Sequence, residues 1–175
     1  MGKIITVTGG TKSGKSEFAE YLAKKYKRIT YVALSELRPN DINWQGKIKK
    51  HKLRRPTNWK TIETSNIHNV LRTELDVLLI DSIGGFVVEN INTKEDEWKI
   101  SLNKLLLNLV NYNNDIIIVG EQTGWGLVSE YKLGNIFTDR IGDVLKGITN
   151  ISRENWLTIN GKAIKLDDIF IDIPK

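Results

Sequence analysis

Eight residues near the start of the chain have the spacing of a phosphate-binding loop. Residues 9–16 fit the pattern G-x-x-x-x-G-K-[ST], and they are, in order, Gly9, Gly10, Thr11, Lys12, Ser13, Gly14, Lys15 and Ser16. Glycines let backbone N–H groups converge on phosphate oxygens, and a helix that begins within the loop adds its positive end. The pattern predicts that Lys15 holds the β- and γ-phosphates of a nucleoside triphosphate and that Ser16 ligates Mg²⁺. A chance glycine turn is the alternative, which the strand before the loop and the helix after it disfavour.

Two acidic residues follow apolar strands. Asp81 comes directly after residues 77–80, and Glu121 follows residues 116–119 and a glycine. Ligands of open α/β sheets gather at the carboxyl ends of strands, so we predict that Asp81 is the second Mg²⁺ ligand and, with Lys15, a catalytic residue. An acid in this place can also simply begin a turn. For Glu121, a carboxylate facing the same cleft and a surface turn acid are equally good interpretations.

The positive charge of the chain is concentrated in one segment. Lys and Arg number 26 against 21 Asp and Glu, a formal net charge of +5, and residues 47–55 contain six cations, one histidine and no acid. The rest of the chain is nearly neutral. Such a cluster suits a polyanion, either a nucleic acid or the phosphates of a small ligand. A solvated helix face is the simpler interpretation.

His51 lies inside this cluster. Helical spacing places it on one face with Trp44 and Ile48, so we expect it to face the interior or a cleft. Neighbouring cations disfavour the imidazolium form, which leaves a lone pair available for attack on an α-phosphorus. The cations that would hold the triphosphate are Lys47, Lys52, Arg54 and Arg55. A core or surface histidine with a satisfied hydrogen bond is the alternative, and we expect His68 to be an ordinary surface residue.

Length and composition limit the class of protein. A chain of 175 residues predicts one domain, and the absence of cysteine excludes disulfides, thiolate metal sites and cysteine nucleophiles. Two histidines do not make a histidine-rich metal site. The apolar runs are far shorter than a membrane span, and the N-terminus has no signal-peptide pattern. We therefore expect a cytoplasmic protein without stable membrane insertion.

Short apolar strands alternate with amphipathic helices. The strands are predicted at 3–8, 29–33, 77–80 and 116–119, and the helices at 15–26, 41–53, 98–109 and 133–148. Residues 155–171 alternate like strands around Asn160-Gly161, a strong hairpin signal. We predict an α/β protein with a P-loop NTPase-type three-layer fold, a mainly parallel central sheet and a C-terminal β-hairpin, as a single domain over residues 1–175. The strand order stays open.

Two further motifs carry a resemblance to a known family. Residues 51–63 have the spacing H-x3-R-P-x2-W-x-T-x-E, and residues 121–128 are similar to E-x-x-G-x-G-I-V. With the phosphate loop and the strand at 31–35, they make the chain resemble the bifunctional adenosylcobinamide kinase/adenosylcobinamide-phosphate guanylyltransferase family of cobalamin biosynthesis. The resemblance runs from residue 5 through the helix at 132–148.

The resemblance implies roles for particular residues. It implies that His51 becomes guanylylated and that the protein is a homotrimer. The residues that it implies as GTP contacts are Lys52, Leu53, Arg54, Arg55 and Glu63. The loop after the second strand contacts the nucleotide in the family, and its counterparts here are Leu34, Ser35 and Glu36.

The chain departs from the family at several positions. Gly120 stands where the family has a polar residue, and Ser129 stands where it has proline. Eight residues after Asp81 the family has asparagine, whereas here Glu89 occupies that position and Asn90 follows. The family has arginines near 138 and 143 and an Asn-Gln pair near 145–146, where this chain has Thr138, Asp143, Leu145 and Lys146.

Motifs and resemblance together predict two reactions. The chain would phosphorylate adenosylcobinamide with ATP or GTP, and would then transfer GMP from GTP through a guanylyl-histidine to give adenosylcobinamide-GDP. Mg²⁺ is the expected cofactor, and no nucleic acid is an expected partner. A small-molecule P-loop kinase without guanylyltransferase activity is one alternative. A nucleic-acid-binding P-loop protein is another, which the expected inward-facing His51 and the absence of other basic stripes disfavour.

Overall fold

The computed structural model describes residues 2–35, 55–126 and 128–173, whose strands form one central sheet. The strands of these residues are β1 (Ile4–Gly9), β2 (Ile29–Leu34), β3 (Lys60–Thr64), β4 (Val77–Asp81), β5 (Ile116–Glu121), β6 (Glu154–Ile159) and β7 (Lys162–Lys165). Their order across the sheet is β3-β2-β4-β5-β1-β6-β7. Every neighbouring pair is parallel except the β6–β7 hairpin. The predicted mainly parallel sheet with a C-terminal hairpin is confirmed.

Helices cover both faces of this sheet. The helices of the described residues are α1 (Lys15–Ala23), α2 (Ile67–Thr73), α3 (Gly84–Glu89), α4 (Glu95–Val110) and α5 (Lys132–Ile151). The β5 strand shows the alternation that makes two cores. Ile116 and Ile118 belong to the core that includes α2 to α5, whereas Ile117 and Val119 belong to the core on the α1 side. Both faces are buried, as is typical of a parallel strand, and the predicted three layers are confirmed.

Some elements differ from the sequence-based expectation. The strand β3 and the helices α2 and α3 were not expected; β3 reads Lys-Thr-Ile-Glu-Thr at the sheet edge and has no apolar run. The predicted alternation up to residue 171 is wrong beyond Lys165, where a 3₁₀ turn follows at Leu166–Asp168. This turn allows Asp167 to accept two hydrogen bonds of 2.8 Å from Asn155. The predicted helix at 41–53 lies outside the described residues.

The topology brings three loops to the end of the sheet where the parallel strands have their carboxyl ends. The strands β1, β4 and β5 run parallel, with β5 between the other two. The loops that follow them therefore leave from the same edge, where parallel sheets place their ligand sites. Within the described ranges, no helix has both the length and the apolar character needed to cross a bilayer.

Candidate active site

The loop between β1 and α1 has the shape that its sequence pattern predicts. β1 ends at Gly9, and α1 begins at Lys15. Two residues between them have positive φ, Lys12 at 58° and Gly14 at 96°, a conformation that glycine adopts without steric cost. The Lys15 ammonium donates to the carbonyl of Gly10 over 3.0 Å. The loop thus folds back on itself, with a lysine and a helix N-terminus beside it.

The C-terminal hairpin packs against this loop. The hydroxyls of Ser13 and Thr158 form a buried hydrogen bond of 2.8 Å, and the Gly161 N–H donates to the Ser13 carbonyl over 2.9 Å. Thr158 also donates to the carbonyl of Thr8 over 3.1 Å. A side chain at Gly9 would overlap both hydroxyls, so the hairpin can lie this close only because that residue is glycine. The hairpin therefore fixes one side of the phosphate loop.

The two predicted carboxylates lie at the ends of neighbouring strands. Asp81 is the last residue of β4 and pairs in register with Val119, and Glu121 is the last residue of β5 and pairs with Gly9. Glu121 therefore lies between the phosphate loop and Asp81. The burial of its carboxyl excludes a surface turn acid, and a carboxylate that faces the cleft stays a prediction.

The Glu121 carboxyl is largely buried and has only part of its hydrogen-bonding capacity satisfied among the described residues. It accepts a hydrogen bond from the Ser82 hydroxyl through Oε1, while Oε2 is buried and has no hydrogen-bond partner among the described residues. A side chain at Gly84 would approach Oε2 to 2.7 Å, so the glycine forms the wall of this niche. Burial raises the pKa of Glu121, and the charge of Asp81 adds to it, whereas Ser82 and Lys15 act in the opposite direction. A carboxyl with a raised pKa beside a lysine is typical of catalytic sites.

Asp81 has a partner on the next strand of the sheet. The Tyr31 hydroxyl donates to Oδ2 of Asp81 over 2.8 Å, and Tyr31 itself is only 2% exposed. Burial and the charge of Asp81 raise the pKa of Tyr31 above its usual range, so the phenol stays protonated and keeps donating. Asp81 is half-buried.

The donors at this edge fit a magnesium ion. Mg²⁺ takes oxygen ligands and commonly binds through one or two carboxylates together with substrate phosphates and waters. The Ser16 hydroxyl at the start of α1 and the Asp81 carboxylate are donors of this kind, and Oε2 of Glu121 adds a buried carboxylate oxygen without a hydrogen-bond partner. The predicted pair of Ser16 and Asp81 remains a prediction that this chemistry supports.

The residues predicted to contact the nucleotide fall into two groups. His51, Lys52, Leu53, Arg54 and Glu36 lie outside the described residues, and so does Lys47. Leu34 and Ser35 lie at the end of β2, where the Ser35 N–H donates to Thr64 over 3.0 Å. The Leu34 side chain is buried in the core, so only its main chain can reach a ligand. Glu63 is half-buried on β3, in register with Ala33.

Arg55 is the last residue of the cation-rich segment and the one member of it that the structure describes, and its side chain is buried. Its guanidinium carbon lies 3.1 Å from the centroid of the Tyr31 ring, and Nε lies 3.7 Å from Oε1 of Glu20. The exposed fractions of the Arg55 and Glu20 side chains are 6% and 7%. The predicted contact of Arg55 with a triphosphate stays a prediction. The structure shows Arg55 packed between Tyr31 and Glu20, on the face of the sheet that α1 covers.

Sequence reasoning missed several residues of the site. Tyr31, Ser82 and Thr158 gave no local signal, because their partners are 50, 39 and 145 residues away. The Asn160-Gly161 turn was the one indication that a hairpin ends near the loop. His68 is half-buried, with a 2.9 Å hydrogen bond between its Nδ1 and Asn108. The expectation of an ordinary surface residue is therefore wrong for His68.

Comparison with protein families identifies the chain. A family model described as cobinamide kinase / cobinamide phosphate guanyltransferase matches residues 5–166. The chain belongs to this family. The resemblance carried by the loop and by the motifs at 51–63 and 121–128 is confirmed at the level of the family.

Curated relatives agree over almost their whole length. The chain is 24% identical over 181 residues to the bifunctional adenosylcobalamin biosynthesis protein CobU of Escherichia coli K12, with 93% of this chain and 99% of the relative covered. It is 25% identical over 181 residues to the protein of the same name from Salmonella typhimurium, with the same coverage. It is 27% identical over 167 residues to the bifunctional adenosylcobalamin biosynthesis protein CobP of Pseudomonas aeruginosa, covering 91% and 95%.

Solved structures share the fold at low identity. A prototypical ATPase from the type III secretion system of pathogenic bacteria matches with a TM-score of 0.53 and 15% identity, over 90% of this chain and 51% of that one. A Pyrococcus horikoshii protein, PH0250, matches with a TM-score of 0.55 and 7% identity, over 94% and 85%. The chain spans about half the length of the ATPase. These likenesses show the P-loop NTPase fold.

Two departures from the cobinamide kinase family pattern lie in contact with each other. A side chain at Gly120 would overlap Cδ2 of Leu145 and lie 3.6 Å from Ile83. The leucine thus fills the space that a side chain at position 120 would need. The two positions are therefore packed against each other.

Asp143, a further departure, lines a cleft of about 630 Å³ between α5 and the turn after α3. Arg140 is buried there and donates to the carbonyls of Asn90 and Thr93 over 2.5 and 2.7 Å. Asp143 accepts from the Trp98 indole over 3.3 Å and lines the cleft. Arg140 therefore ties α5 to the turn, and the Asp143 carboxylate lines the same cleft.

Proposed function

We propose that the chain phosphorylates adenosylcobinamide with ATP or GTP, and then transfers GMP from GTP to the product through a guanylyl group on His51, giving adenosylcobinamide-GDP. The family match over residues 5–166 carries this proposal. The relatives' names include the word bifunctional and place those proteins in adenosylcobalamin biosynthesis. The phosphate loop beside two carboxylates supports the kinase step independently of the names.

In the kinase step, the hydroxyl of the cobinamide side chain attacks the γ-phosphorus, and the bond to the β–γ bridging oxygen breaks. Lys15 and the amides of the loop hold the phosphates, and Ser16 and Asp81 hold Mg²⁺, which neutralises charge on the phosphates when bound. Glu121 accepts the proton of the attacking hydroxyl. Its raised pKa suits this task, because a general base works best when its pKa lies near the working pH.

In the guanylyltransferase step, the His51 imidazole attacks the α-phosphorus of GTP, and pyrophosphate leaves. The phosphate of cobinamide phosphate then attacks the same phosphorus and displaces the imidazole. A covalent intermediate divides one difficult transfer between two anions into two easier steps. In this proposal the GTP contacts are Lys52, Leu53, Arg54, Arg55 and Glu63, with Leu34, Ser35 and Glu36 beside the nucleotide.

The remaining parts of the proposal concern organisation. We infer one P-loop nucleotide-binding domain over residues 1–175, a homotrimer, and a cytoplasmic location without nucleic acid or membrane partners. The trimer rests on the resemblance to the family, and the continuous sheet from β3 to β7 supports the single domain.

One labelling experiment tests the two reactions. The protein is incubated with Mg²⁺ and GTP labelled on either the α- or the γ-phosphate, and acid-labile label bound to protein is measured. We expect label from the α-phosphate only, lost in His51→Ala and kept in the control His68→Gln. His51→Ala should still phosphorylate adenosylcobinamide, because the kinase step does not use that side chain.

Other outcomes would support the alternatives. Absence of α-label with retained cobinamide phosphorylation would leave a P-loop kinase without guanylyltransferase activity. Binding of RNA with a steep dependence on salt, in the absence of both activities, would indicate a nucleic-acid-binding protein.

A further inference from the structure

The Tyr31 side chain connects two parts of the molecule that the proposed function uses separately. Its hydroxyl donates to Asp81 Oδ2 over 2.8 Å, and its ring lies against the Arg55 guanidinium at 3.1 Å. One end of this side chain therefore contacts the carboxylate at the end of β4. Its face contacts Arg55, the last residue of the cation-rich segment that carries His51.

The hydrogen bond to Asp81 fixes one of the two carboxylate oxygens. β2 and β4 are neighbours, with Tyr31 in register with Leu79, two residues before Asp81. A carboxylate at the end of a strand can rotate about two side-chain bonds, and a buried donor to Oδ2 removes much of this freedom. The partners of a metal ligand commonly orient it in this way and affect metal affinity when they are lost.

The arginine in turn holds the tyrosine ring. An arginine over an aromatic face is attracted to the ring, and the attraction is stronger when both groups are removed from water. Here Tyr31 is 2% exposed and the Arg55 side chain 6%. Glu20 of α1 lies 3.7 Å from Arg55 and balances its buried charge. Lysine could provide the charge but not the planar stacking.

We propose that Tyr31 is a positioning residue of the P-loop site, which orients Asp81 toward Mg²⁺ and is itself held in place by the stacked Arg55. This inference rests on the proposed role of Asp81 in binding the metal. It implies that the anchored end of the cation-rich segment and the metal site depend on each other through one aromatic ring.

The test compares two tyrosines that each donate to an aspartate. Tyr31→Phe removes the bond to Asp81 and keeps the ring under Arg55. Tyr26→Phe removes an equivalent bond of 2.6 Å to Asp115, which lies at the opposite edge of the sheet, immediately before β5. Affinity for a fluorescent ATP analogue is measured in EDTA and across a Mg²⁺ titration, together with the thermal midpoint.

We expect Tyr31→Phe to raise the Mg²⁺ concentration for half-maximal gain in nucleotide affinity by about 3- to 10-fold, the effect of one lost hydrogen bond. Affinity in EDTA should stay unchanged, since the loop itself is intact. Tyr26→Phe should lower the thermal midpoint similarly but leave the Mg²⁺ titration as in the wild type. Equal titration curves for the two variants would overturn the inference.

Two further variants separate the possible failures. Asp81→Asn should abolish the Mg²⁺-dependent gain; if the gain survives, the proposed metal role of Asp81 is wrong and the inference fails with it. If Asp81→Asn abolishes the gain and Tyr31→Phe does not change it, only the inference fails. Arg55→Lys should shift the titration in the same direction as Tyr31→Phe, and the surface control Arg28→Lys should not. An unchanged titration in Arg55→Lys would overturn the claim that stacking of Arg55 holds the Tyr31 ring in place.

Discussion

The phosphate loop and Glu121 lie on adjacent strands at one edge of the sheet, but they are held in opposite ways. The loop is fixed by hydrogen bonds at both sides: Lys15 to Gly10, and the hairpin through Thr158 and Gly161 to Ser13. Glu121 has one carboxylate oxygen paired with Ser82 and the other buried without a partner among the described residues. The loop groups named here have hydrogen-bond partners, whereas one oxygen of the Glu121 carboxylate has none among the described residues.

Because of this difference, we expect the loop contacts to stabilise the fold and the Glu121 carboxylate to lower its stability. A buried carboxyl without full hydrogen bonding costs folding free energy, and natural proteins accept such costs at functional sites. Removing the charge at Glu121 should therefore stabilise the fold, whereas removing a loop contact should not. Activity should fall in both cases.

The largest effect is expected at Lys15. Lys15→Met removes the ammonium group that is proposed to hold the β- and γ-phosphates, so kcat/KM for phosphorylation should fall by at least about 100-fold. The thermal midpoint should change little, because the losses that the described residues show are the 3.0 Å bond to Gly10 and the attraction to Glu121. Phosphorylation of adenosylcobinamide and thermal unfolding are measured with the exposed-lysine variant Lys99→Ala as the control. A fall of less than tenfold would contradict the proposed role.

Glu121→Gln should lower activity, like Lys15→Met, but should raise the stability of the fold. We expect the phosphorylation rate to fall by about 100-fold, the usual contribution of a general base, while the thermal midpoint at neutral pH rises. Because burial raises the pKa of Glu121 in the folded state, the stability that this carboxyl contributes is present at low pH and is lost as pH rises through its folded-state pKa.

The pH dependence of that variant provides the sharper measurement. Gln cannot ionise, so the difference in midpoint between variant and wild type should be small below pH about 4.3, the ordinary glutamate range, and should grow above it. Glu130→Gln, at an exposed position, should show no such difference. A midpoint that falls in Glu121→Gln at neutral pH would break the contrast with the loop.

The next effect concerns the contact between Gly120 and Leu145. Gly120→Ala places a methyl group on Leu145, and overpacking of this kind destabilises by about 1–3 kcal/mol, or about 2–4 °C for each kcal/mol at this chain length. Leu145→Ala alone should destabilise by about 2–5 kcal/mol through a cavity. The double variant should be more stable than the sum of the two predicts, which thermal unfolding measures. Additive effects would show that the two residues do not pack together.

The loop and the carboxylates also differ in how far the sequence could predict them. Residues 9–16 and the Asn160-Gly161 turn are local patterns, so the strand, loop and helix were predicted within about three residues of their observed bounds, and the hairpin turn was predicted although the second strand ends at Lys165. The environment of Glu121 depends on Ser82, Gly84 and Lys15, which come from other elements. No local periodicity indicates such neighbours, because they meet only after the strands take their order in the sheet. The same reason explains why the Tyr31 bond to Asp81 was not predicted.

The smallest effect is expected where the hairpin contacts the loop. Thr158→Val keeps the shape of the side chain but removes the hydroxyl that bonds Ser13 over 2.8 Å and Thr8 over 3.1 Å. The Ser13 hydroxyl would then face an apolar group, and a lost buried hydrogen bond of this kind is worth about 1 kcal/mol. We expect nucleotide affinity in EDTA to fall by about 3- to 10-fold, since the loop loses one of its supports, while the Mg²⁺ titration keeps its midpoint.

Thr30→Val is the matched control for this variant. Thr30 is fully buried on β2 and donates to Glu74 over 3.2 Å, away from the loop. It should lower the thermal midpoint to a similar extent without changing nucleotide affinity. If both variants weaken nucleotide binding equally, the effect reflects general loss of stability, and the hairpin has no particular role in holding the loop. If only Thr158→Val does, the hairpin and not the local sequence keeps the loop in its phosphate-binding shape.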